Sequence, residues 1–415
     1  MARRTKRLGV WLDQEHVADL EQTRWPDIRC RYTAGALQRW PLNSLIISCS
    51  LPLSARPQDA LAFCKGLLPE GQALQQMAAQ AGVAVKETFG LLARYGRDVA
   101  GALVIGEEPP DPTRFAAIPY TDASLAEAID DLPEHPLGTH DDSELSLAGL
   151  QDKLLLVEVP DVGWARPVHG RPSTHILKVD DLRFPGLIEA EAQCLTLARA
   201  VNLTTVDVEL VRIGGADRLI VSRFDRVSDS DGMTRRMHQE DLCQALAIDP
   251  DANRGRAKYE RAGGPSLHQA AELLDLRAAD PLAELDQLVR AVTFTCLIGN
   301  ADAHGKNIAL LHPTPATITL APLYDTVPTL LWPKLRKESA MMIGGRVLLT
   351  ATTIADIARE AHTWGHPAAR ATAVADRLVT DTLDAIDRQV VQRDSPVAGL
   401  VTGRAKRMLG DTPAG

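Results

Sequence analysis

Residues 299–307 read GNADAHGKN and follow a long apolar segment, 282–298, with the composition of a buried helix. Within this stretch Asp302 precedes Asn307 by five positions, which is the D-x-x-x-x-N spacing of a catalytic loop for phosphoryl transfer. A second acid, Asp325, follows after a short strand-like run and a turn. Phosphoryl transfer uses a base and two metal ligands in this order. The stretch therefore predicts a helical lobe that ends in a catalytic loop.

The spacing alone is weak evidence, because Asp, Asn and Gly are ordinary turn residues. Upstream signals strengthen it. The loop 146–153, SLAGLQDK, precedes a strand-like run and could cover phosphates, although its single glycine fits neither standard glycine-rich motif. Lys178 ends the strand-like run 175–178, where it could reach phosphates. Glu189 or Glu191 on the next helix could pair with this lysine, and Glu191 is favoured because it lies beside the apolar face.

The types of side chain in the predicted catalytic loop suit magnesium chemistry. Asp302 is the candidate proton acceptor, and Asn307 and Asp325 offer the hard oxygen ligands that Mg²⁺ prefers. A metal-dependent hydrolase built on Asp302 and His304 is less favoured, because the loop has one histidine and the chain has no H-x-H or H-E-x-x-H motif. The histidines of 362–366 have zinc-pair spacing, but glycine and proline there interrupt a helix.

The composition excludes several classes of protein. Hydrophobic residues make up 45% and charged residues 24%, which is typical of a globular protein. The net charge of -9 argues against a nucleic-acid-binding face of its own. We expect no membrane span, since no stretch approaches 18 uncharged apolar residues. Asp13 and Glu15 interrupt what would be the apolar region of a twin-arginine export signal. The six scattered cysteines favour a reducing cytoplasm.

The pattern along the chain changes in a way that predicts an α+β fold with two lobes. Within the first segment, the apolar run 45–49 is of strand type. Residues 106–145 hold eleven acids, six prolines and one base, so they favour an exposed connector, with one short helix near Thr121. Four segments result: a mixed α/β unit at 1–105, the connector at 106–145, a sheet-rich lobe at 146–226 and a helical lobe at 227–415.

A set of motifs in this order is similar to those of one known family. They are LLPEG at 67–71, GRDVAGAL at 96–103, the loop 146–153, THILK at 174–178, VSRFDR at 221–226, QEDLCQAL at 239–246, KYE at 258–260 with GGP at 263–265, the loop 299–307 and LAPLYD at 320–325. Together they resemble the HipA-type serine/threonine kinases, the toxin half of bacterial type II toxin–antitoxin pairs. The resemblance covers nearly the whole chain. One departure is Ser222, which stands where the family often carries Glu.

The resemblance implies a two-lobed protein-kinase-like fold, with a sheet-rich N-lobe, an added N-terminal subdomain and a helical C-lobe. It implies that Asp302 is the catalytic base and that Asn307 and Asp325 bind Mg²⁺. It implies an ATP site that includes the hinge residues 222–224 and the phosphate loop. The candidate ATP-binding residues are Ser146, Gly149, Lys153, Lys178, Ser222, Arg223, Phe224, His304 and Lys306. Ser146 would also be the site of an inactivating autophosphorylation.

The resemblance further implies partners. A small helix-turn-helix antitoxin dimer, similar to HipB, would bind the chain, and DNA would be reached only through that antitoxin. The phosphorylated substrate would be an aminoacyl-tRNA synthetase, so that translation and growth stop. Two other interpretations stay open from the sequence. The chain could chiefly bridge antitoxin dimers as a transcriptional co-repressor module, or it could phosphorylate a small molecule, since a fold does not fix its acceptor.

Overall fold

The computed structural model describes residues 5–140, 143–148, 151–228 and 234–410. The chain forms two compact units. The first unit contains residues 1–179, 210–250 and 311–316, and the second contains 180–209, 251–310 and 317–415. Both units mix helices and strands, so the fold is α+β as predicted. The units do not follow the four segments inferred from sequence, which stay a prediction of domain organisation.

The strands of the described residues are short and largely antiparallel. In chain order they are β1 Lys6–Leu12, β2 Glu15–Gln22, β3 Arg29–Tyr32, β4 Gln58–Asp59, β5 Leu103–Gly106, β6 Ala116–Pro119, β7 Lys153–Val159, β8 Gly163–Val168, β9 His175–Lys178, β10 Val208–Ile213, β11 Ala216–Ser222, β12 Arg226–Ser228, β13 Thr234–Arg236, β14 Gln239–Asp241, β15 Ala309–Thr314, β16 Thr317–Leu320, β17 Glu338–Ile343 and β18 Arg346–Leu348.

The long helices belong to the later part of the chain. The helices are α1 Ala34–Arg39, α2 Leu61–Gly66, α3 Gly71–Gln80, α4 Thr88–Tyr95, α5 Asp122–Asp130, α6 Leu187–Ala200, α7 Leu242–Ala245, α8 Ala252–Gly255, α9 Leu267–Arg277, α10 Pro281–Ile298, α11 Ile354–Thr363, α12 Ala368–Asp387 and α13 Pro396–Met408. None of the helices in the described part of the chain combines the length and the apolar character needed to cross a bilayer.

Two sheets organise the first unit. One has the strand order β4-β3-β2-β1-β5 and the other β10-β11-β9-β7-β8-β6. Tight hairpins set the registers: Asp13 and Gln14, between β1 and β2, both have left-handed φ, of 48° and 68°. Gly214 and Gly215 do the same between β10 and β11, with φ of 60° and 77°. Consecutive left-handed residues match the twist of the paired strands, which explains why such short loops connect them.

The structure corrects two expectations about the first unit. The run 45–49 is no strand; its backbone turns, and only an isolated bridge joins Ser48 to Leu51. The run is apolar because Leu45, Ile46 and Ile47 are all buried, not because side chains alternate across a sheet. Residues 106–140 are also more than an exposed connector. Strand β6 pairs with β8 at the edge of the second sheet. The short helix predicted near Thr121 is α5, which Thr121 caps and which buries Leu125 and Ile129.

Helix α10 is the centre of the second unit. It packs against α9, α11, α12 and α13, and its buried residues lie on all sides, from Leu285 to Ile298. The expectation of a buried helix at 282–298 is therefore confirmed. Asp280 accepts a hydrogen bond from the Ala283 amide at the start of the helix, and Pro281 has no amide proton that would need an acceptor there. Burial of a side chain such as Phe294 stabilises the unit by roughly 1.5–3 kcal/mol.

A buried polar cluster joins β14 to β15 within the first unit. His312 Nε2 lies 3.0 Å from Glu240, and His238 lies beside His312 with ring centroids 4.9 Å apart. His238 Nε2 donates to the Ile47 carbonyl at 2.7 Å, which leaves Nδ1 as the acceptor facing the Ala102 amide. Burial, and then the neighbouring His312, lower the pKa of His238 from 6.5 to about 4.

This lowered pKa predicts a pH-dependent stability. In the unfolded chain His238 takes up a proton below about pH 6.5, whereas in the folded chain it stays neutral down to about pH 4. The free energy of unfolding is therefore not reduced by His238 above pH 6.5. Below that pH, protonation of His238 in the unfolded chain lowers it by about 1.4 kcal/mol per pH unit. Urea unfolding from pH 7 to 4.5 should show this slope, and His238→Gln should reduce it. The exposed His362→Gln is the control, and equal slopes in all three proteins would contradict the prediction.

Candidate active site

The predicted catalytic loop starts where α10 ends. Gly299 closes the helix with a left-handed φ of 73°, and a Cβ atom there would lie 3.0 Å from Leu330. The Leu330 amide donates to the Gly299 carbonyl at 3.1 Å, and Thr329 Oγ1 accepts from the Ala301 amide at 2.8 Å. The segment after Asp325 thus holds the first residues of the loop, and only glycine suits its first position.

Internal hydrogen bonds fix Asp302 and Asn307 relative to each other. The Asp302 amide donates to Asn300 Oδ1 at 3.0 Å. The Asp302 carbonyl accepts from the His304 amide at 2.8 Å and from Asn307 Nδ2 at 3.1 Å. Because Asn307 uses its amide nitrogen to hold the loop, its amide oxygen is the end that can ligate a cation. The structure therefore brings together Asp302, the predicted base, and Asn307, a predicted metal ligand.

Tyr259 is a residue of this site that the sequence analysis did not assign. Its hydroxyl donates to Asp302 Oδ1 at 2.7 Å. Burial, and then the nearby Asp302 carboxylate, raise the pKa of the Tyr259 phenol, so it remains a donor at neutral pH. The Arg336 guanidinium lies 4.4 Å from the centre of the Tyr259 ring. The only sequence signal was the motif KYE at 258–260, which gave no indication of contact with residues 43 positions later.

Asp325 lies on a segment that contacts the same loop. The hydroxyl of the preceding Tyr324 donates to the Lys306 carbonyl at 2.7 Å. Tyr324 and Thr326 line one cavity together with Asn307. Asp325 itself has a left-handed φ of 52°, a conformation that Asp tolerates better than most residues and that recurs at functional sites. A carboxylate and an amide oxygen are a donor set suited to Mg²⁺.

Two other residues of the loop, His304 and Lys306, were predicted to bind ATP. Both are buried. The His304 ring stands edge-on to Tyr259, with centroids 5.2 Å apart, and its Nδ1 accepts from the Lys306 amide at 3.3 Å. Both residues thus support the loop from within. Their contact with a nucleotide stays a prediction.

In the first unit, two candidate phosphate ligands lie directly opposite each other on neighbouring strands of the second sheet. Lys178 on β9 pairs directly with Lys153 on β7, so the two side chains share one face. Lys153 Nζ donates to the Ala148 carbonyl at 2.5 Å, and Gln151 Nε2 donates to the Val179 carbonyl at 3.0 Å.

Ser146 is held inside the first unit. Its side chain is 0% exposed, and its Oγ donates to the Leu67 carbonyl at 3.0 Å. The serine therefore has to leave this position before it can accept a phosphoryl group. Gly149, the other predicted residue of the phosphate loop, lies outside the described residues.

The predicted hinge residues 222–224 lie at the end of β11 and directly after it. Ser222 ends β11 opposite His175, and the Arg223 amide donates to the Thr174 carbonyl at 2.9 Å. The Arg223 side chain is buried and turns to Asp225, with Nη2 and Oδ2 2.8 Å apart. Any contact of Arg223 with a nucleotide would therefore come from its backbone. Phe224 is half-buried, and its role stays a prediction.

Helix α6, in the second unit, carries Glu189 and Glu191, the two glutamates considered as partners of Lys178. Glu191 is buried, whereas Glu189 is exposed. This burial agrees with the choice of Glu191 from the apolar face of the helix. Its pairing with Lys178 stays a prediction.

Comparison of the sequence with known proteins gives matches to one family. The family model described as HipA-like C-terminal domain matches residues 145–390, and the HipA N-terminal domain matches 8–106. The putative kinase Y4mE of Sinorhizobium fredii is 39% identical, over 82% of each chain. The serine/threonine-protein kinase toxin HipA of Shewanella oneidensis is 27% identical, over 73% of this chain and 71% of the relative.

A solved structure supports the fold. It is the Shewanella oneidensis HipA in complex with HipB and operator DNA, which matches with a TM-score of 0.81 and 24% identity and covers 97% of each chain. At that identity the likeness concerns the fold, which is the two-lobed kinase-like α+β fold that the sequence predicts. Since the family models cover most of the sequence in the expected order, the chain belongs to the HipA family of kinases.

Proposed function

We propose that this protein is a Mg·ATP-dependent serine/threonine protein kinase that acts as the toxin of a toxin–antitoxin pair. The observation that carries the proposal is the arrangement around Asp302. The carboxylate accepts a hydrogen bond from Tyr259 at 2.7 Å, and the backbone carbonyl is held by Asn307 at 3.1 Å. A fixed carboxylate beside a fixed amide oxygen provides a proton acceptor next to a ligand for a hard cation.

In this proposal each polar group has one task. Asp302 receives the proton of the acceptor hydroxyl as the oxygen attacks the γ-phosphorus, the bond from the γ-phosphorus to the β,γ-bridging oxygen breaks, and ADP leaves. Asn307 and Asp325 would hold Mg²⁺, which neutralises charge on the phosphates when it is bound. Lys153 and Lys178 of the first unit bind the phosphates through their paired positions on β7 and β9. The backbone of residues 222–224 binds the adenine.

The most direct test uses labelled ATP, Mg²⁺ and a lysate of bacterial cells. The wild-type protein should transfer label to serine or threonine of at least one protein, and Asp302→Asn should not. Identical results for the two proteins would refute the kinase. Label on a purified metabolite, with no labelled protein, would instead favour a small-molecule kinase.

We further propose an aminoacyl-tRNA synthetase as substrate, a helix-turn-helix dimer similar to HipB as partner and the cytoplasm as location. The Shewanella relative, solved with HipB and operator DNA, supports the partner. The cytoplasm is supported by six cysteines that form no disulfide with one another. Incubation with purified synthetases tests the substrate. Retention of operator DNA only in the presence of the antitoxin tests the assembly, and direct binding of DNA by the chain alone would contradict it.

Autophosphorylation at Ser146 is part of the same proposal. The burial of Ser146 supports a switch, because a phosphate carries close to two negative charges and does not fit the buried position beside the Leu67 carbonyl. Phosphorylation would therefore keep the loop out of its present place. Peptide mapping of the active protein tests this, and a phosphate found elsewhere with Ser146 unmodified would refute it.

Tyr259→Phe tests the assignment of Asp302 as the base. The variant keeps the aromatic ring but removes the hydroxyl, which donates to Asp302 and also hydrogen-bonds with Arg336, so kcat should fall about tenfold or more, with little change in the KM for ATP. Steady-state kinetics measure both constants. The matched control is Tyr120→Phe, which removes a hydroxyl that has no hydrogen-bond partner among the described residues. Equal activity of both variants would argue against a role of Tyr259 at the base.

A further inference from the structure

One carboxylate of the N-terminal domain, residues 8–106, contacts the hinge side of the predicted nucleotide site. Asp98 is 1% exposed. Its Oδ1 accepts from Arg226 Nη2 at 2.9 Å, and its Oδ2 accepts from the Ser173 amide at 2.9 Å and from the Ser173 hydroxyl at 2.7 Å. Arg236 Nη2 approaches Oδ1 at 3.5 Å. The carboxylate is thus surrounded by donors that lie far away in sequence.

The backbone of Asp98 holds a second part of that site. Its carbonyl accepts from the Ser146 amide at 2.8 Å, and its amide donates to the Glu144 carbonyl at 3.2 Å. Asp98 and Leu145 form a parallel bridge. The start of the phosphate loop is therefore attached to the same residue that binds Arg226.

The residues after Asp98 extend the contact along the hinge. The Val99 carbonyl accepts from Arg223 Nη2 at 3.0 Å and from Arg226 Nη2 at 2.9 Å. The Gly101 amide donates to Asp225 Oδ2 at 2.7 Å, and the Gly101 carbonyl accepts from Arg226 Nη1 at 3.0 Å. The backbone of 98–101 thus binds both Arg223 and Arg226, one before and one after the pair Phe224-Asp225.

Ser173 completes the connection. Its hydroxyl donates to Asp98 and accepts from Arg223 Nη1 at 2.8 Å. Ser173 precedes Thr174, whose carbonyl accepts the Arg223 amide at 2.9 Å. Both the side chain and the backbone of Arg223 are therefore set by a short segment that Asp98 holds in place.

We propose that Asp98 is a positioning residue for ATP, through which the N-terminal domain sets the geometry of both the hinge and the root of the phosphate loop. The proposal rests on the proposed kinase function and assigns to a residue of the N-terminal domain a task in nucleotide binding. Adenine recognition by a hinge depends on backbone groups, and these tolerate displacements of only about 0.5 Å. A side chain that holds Arg223, Arg226 and the Ser146 amide together therefore affects nucleotide affinity more than it affects the transfer step.

Asp98→Asn is the first test. It keeps the size of the side chain but places an NH₂ group against donors and removes the charge that Arg226 binds. We expect the KM and the dissociation constant for Mg·ATP to rise about tenfold, while kcat changes less than about threefold. Titration calorimetry with ATP and Mg²⁺ measures the affinity without any protein substrate. Kinetics are measured well below the melting temperature of each protein.

A second variant covers the possibility that Asp98→Asn does not fold. Ser173→Ala removes only the hydroxyl between Asp98 and Arg223, and we expect it to weaken ATP binding about threefold. The control is Asp249→Asn, which removes a carboxylate of the same unit that pairs with Lys65 at 2.7 Å and is 36% exposed. Its ATP affinity should equal that of the wild type.

The outcomes separate this inference from the kinase proposal. If the wild type binds ATP and the folded Asp98→Asn protein binds it equally well, the positioning role is wrong and the kinase proposal stands. If Asp98→Asn does not fold and Ser173→Ala binds ATP like the wild type, the positioning role is also wrong. If the wild type itself binds no ATP, both proposals are wrong.

Discussion

Replacement of Asp302 by Asn is expected to reduce phosphate transfer by about 10²–10⁴-fold, the usual contribution of a positioned proton acceptor. Asn has the same shape but does not take the proton of the acceptor hydroxyl. The loop should stay intact, because its hydrogen bonds use the Asp302 amide and carbonyl, both of which the variant retains. Initial rates with labelled ATP measure the loss.

Two controls make this result specific. ATP affinity should change only a few-fold, since the hinge and lysine candidates lie elsewhere in the chain. Asp275→Asn, an exposed residue of α9 in the same unit, should keep the wild-type rate. Activity of Asp302→Asn above one tenth of the wild-type rate would exclude Asp302 as the base.

The second large effect is expected on stability. Asp225→Ala should lower the free energy of unfolding by roughly 3–5 kcal/mol, because it leaves Arg223 and Arg226 without one of their partners in a buried site. Arg223 Nη2 and Arg226 Nη1 lie 2.8 Å and 2.9 Å from Asp225 Oδ2. Urea unfolding, followed by the fluorescence of the tryptophans, measures the difference. Asp249→Ala, which breaks a partly exposed pair, should cost no more than about 1 kcal/mol.

The effect of Asp225→Ala should also depend on pH. Burial alone would raise the pKa of Asp225, but Arg223 and Arg226 outweigh burial and hold it below its ordinary value. The stabilisation is therefore complete above about pH 4 and is lost as the pH falls further. The difference between variant and wild type should shrink below pH 4, and a difference that stays constant would point to packing rather than to charge.

The sequence predicted the parts of this site that are local. The buried helix before residue 299 and the pairing of Asp302 with Asn307 depend on neighbours within a few positions, as does the short helix near Thr121 outside the site, and the structure has each of them. The α+β class followed from the order along the chain of segments with strand-like and with helix-like hydrophobic patterns.

What the sequence could not predict depends on distant contacts. The Tyr259–Asp302 hydrogen bond joins residues 43 positions apart, and the Asp98–Arg226 pair joins residues 128 positions apart. The backbone conformation of 45–49 also depends on a distant contact, since the Leu45 amide donates to the carbonyl of Pro315. An apolar run indicates only that a segment is buried, whereas its backbone conformation depends on which partners satisfy its polar groups.

The contacts of Asp98 have a consequence for how such chains can recombine. Separate family models match 8–106 and 145–390, so the two pieces resemble exchangeable modules. Yet the Asp98 carboxylate and Arg226, 2.9 Å apart, belong one to each piece and are both buried. A chimera that joins the first piece of one relative to the second piece of another takes one partner of the charge pair from each parent. Such exchanges should succeed only when the two parents supply side chains of opposite charge at these two positions.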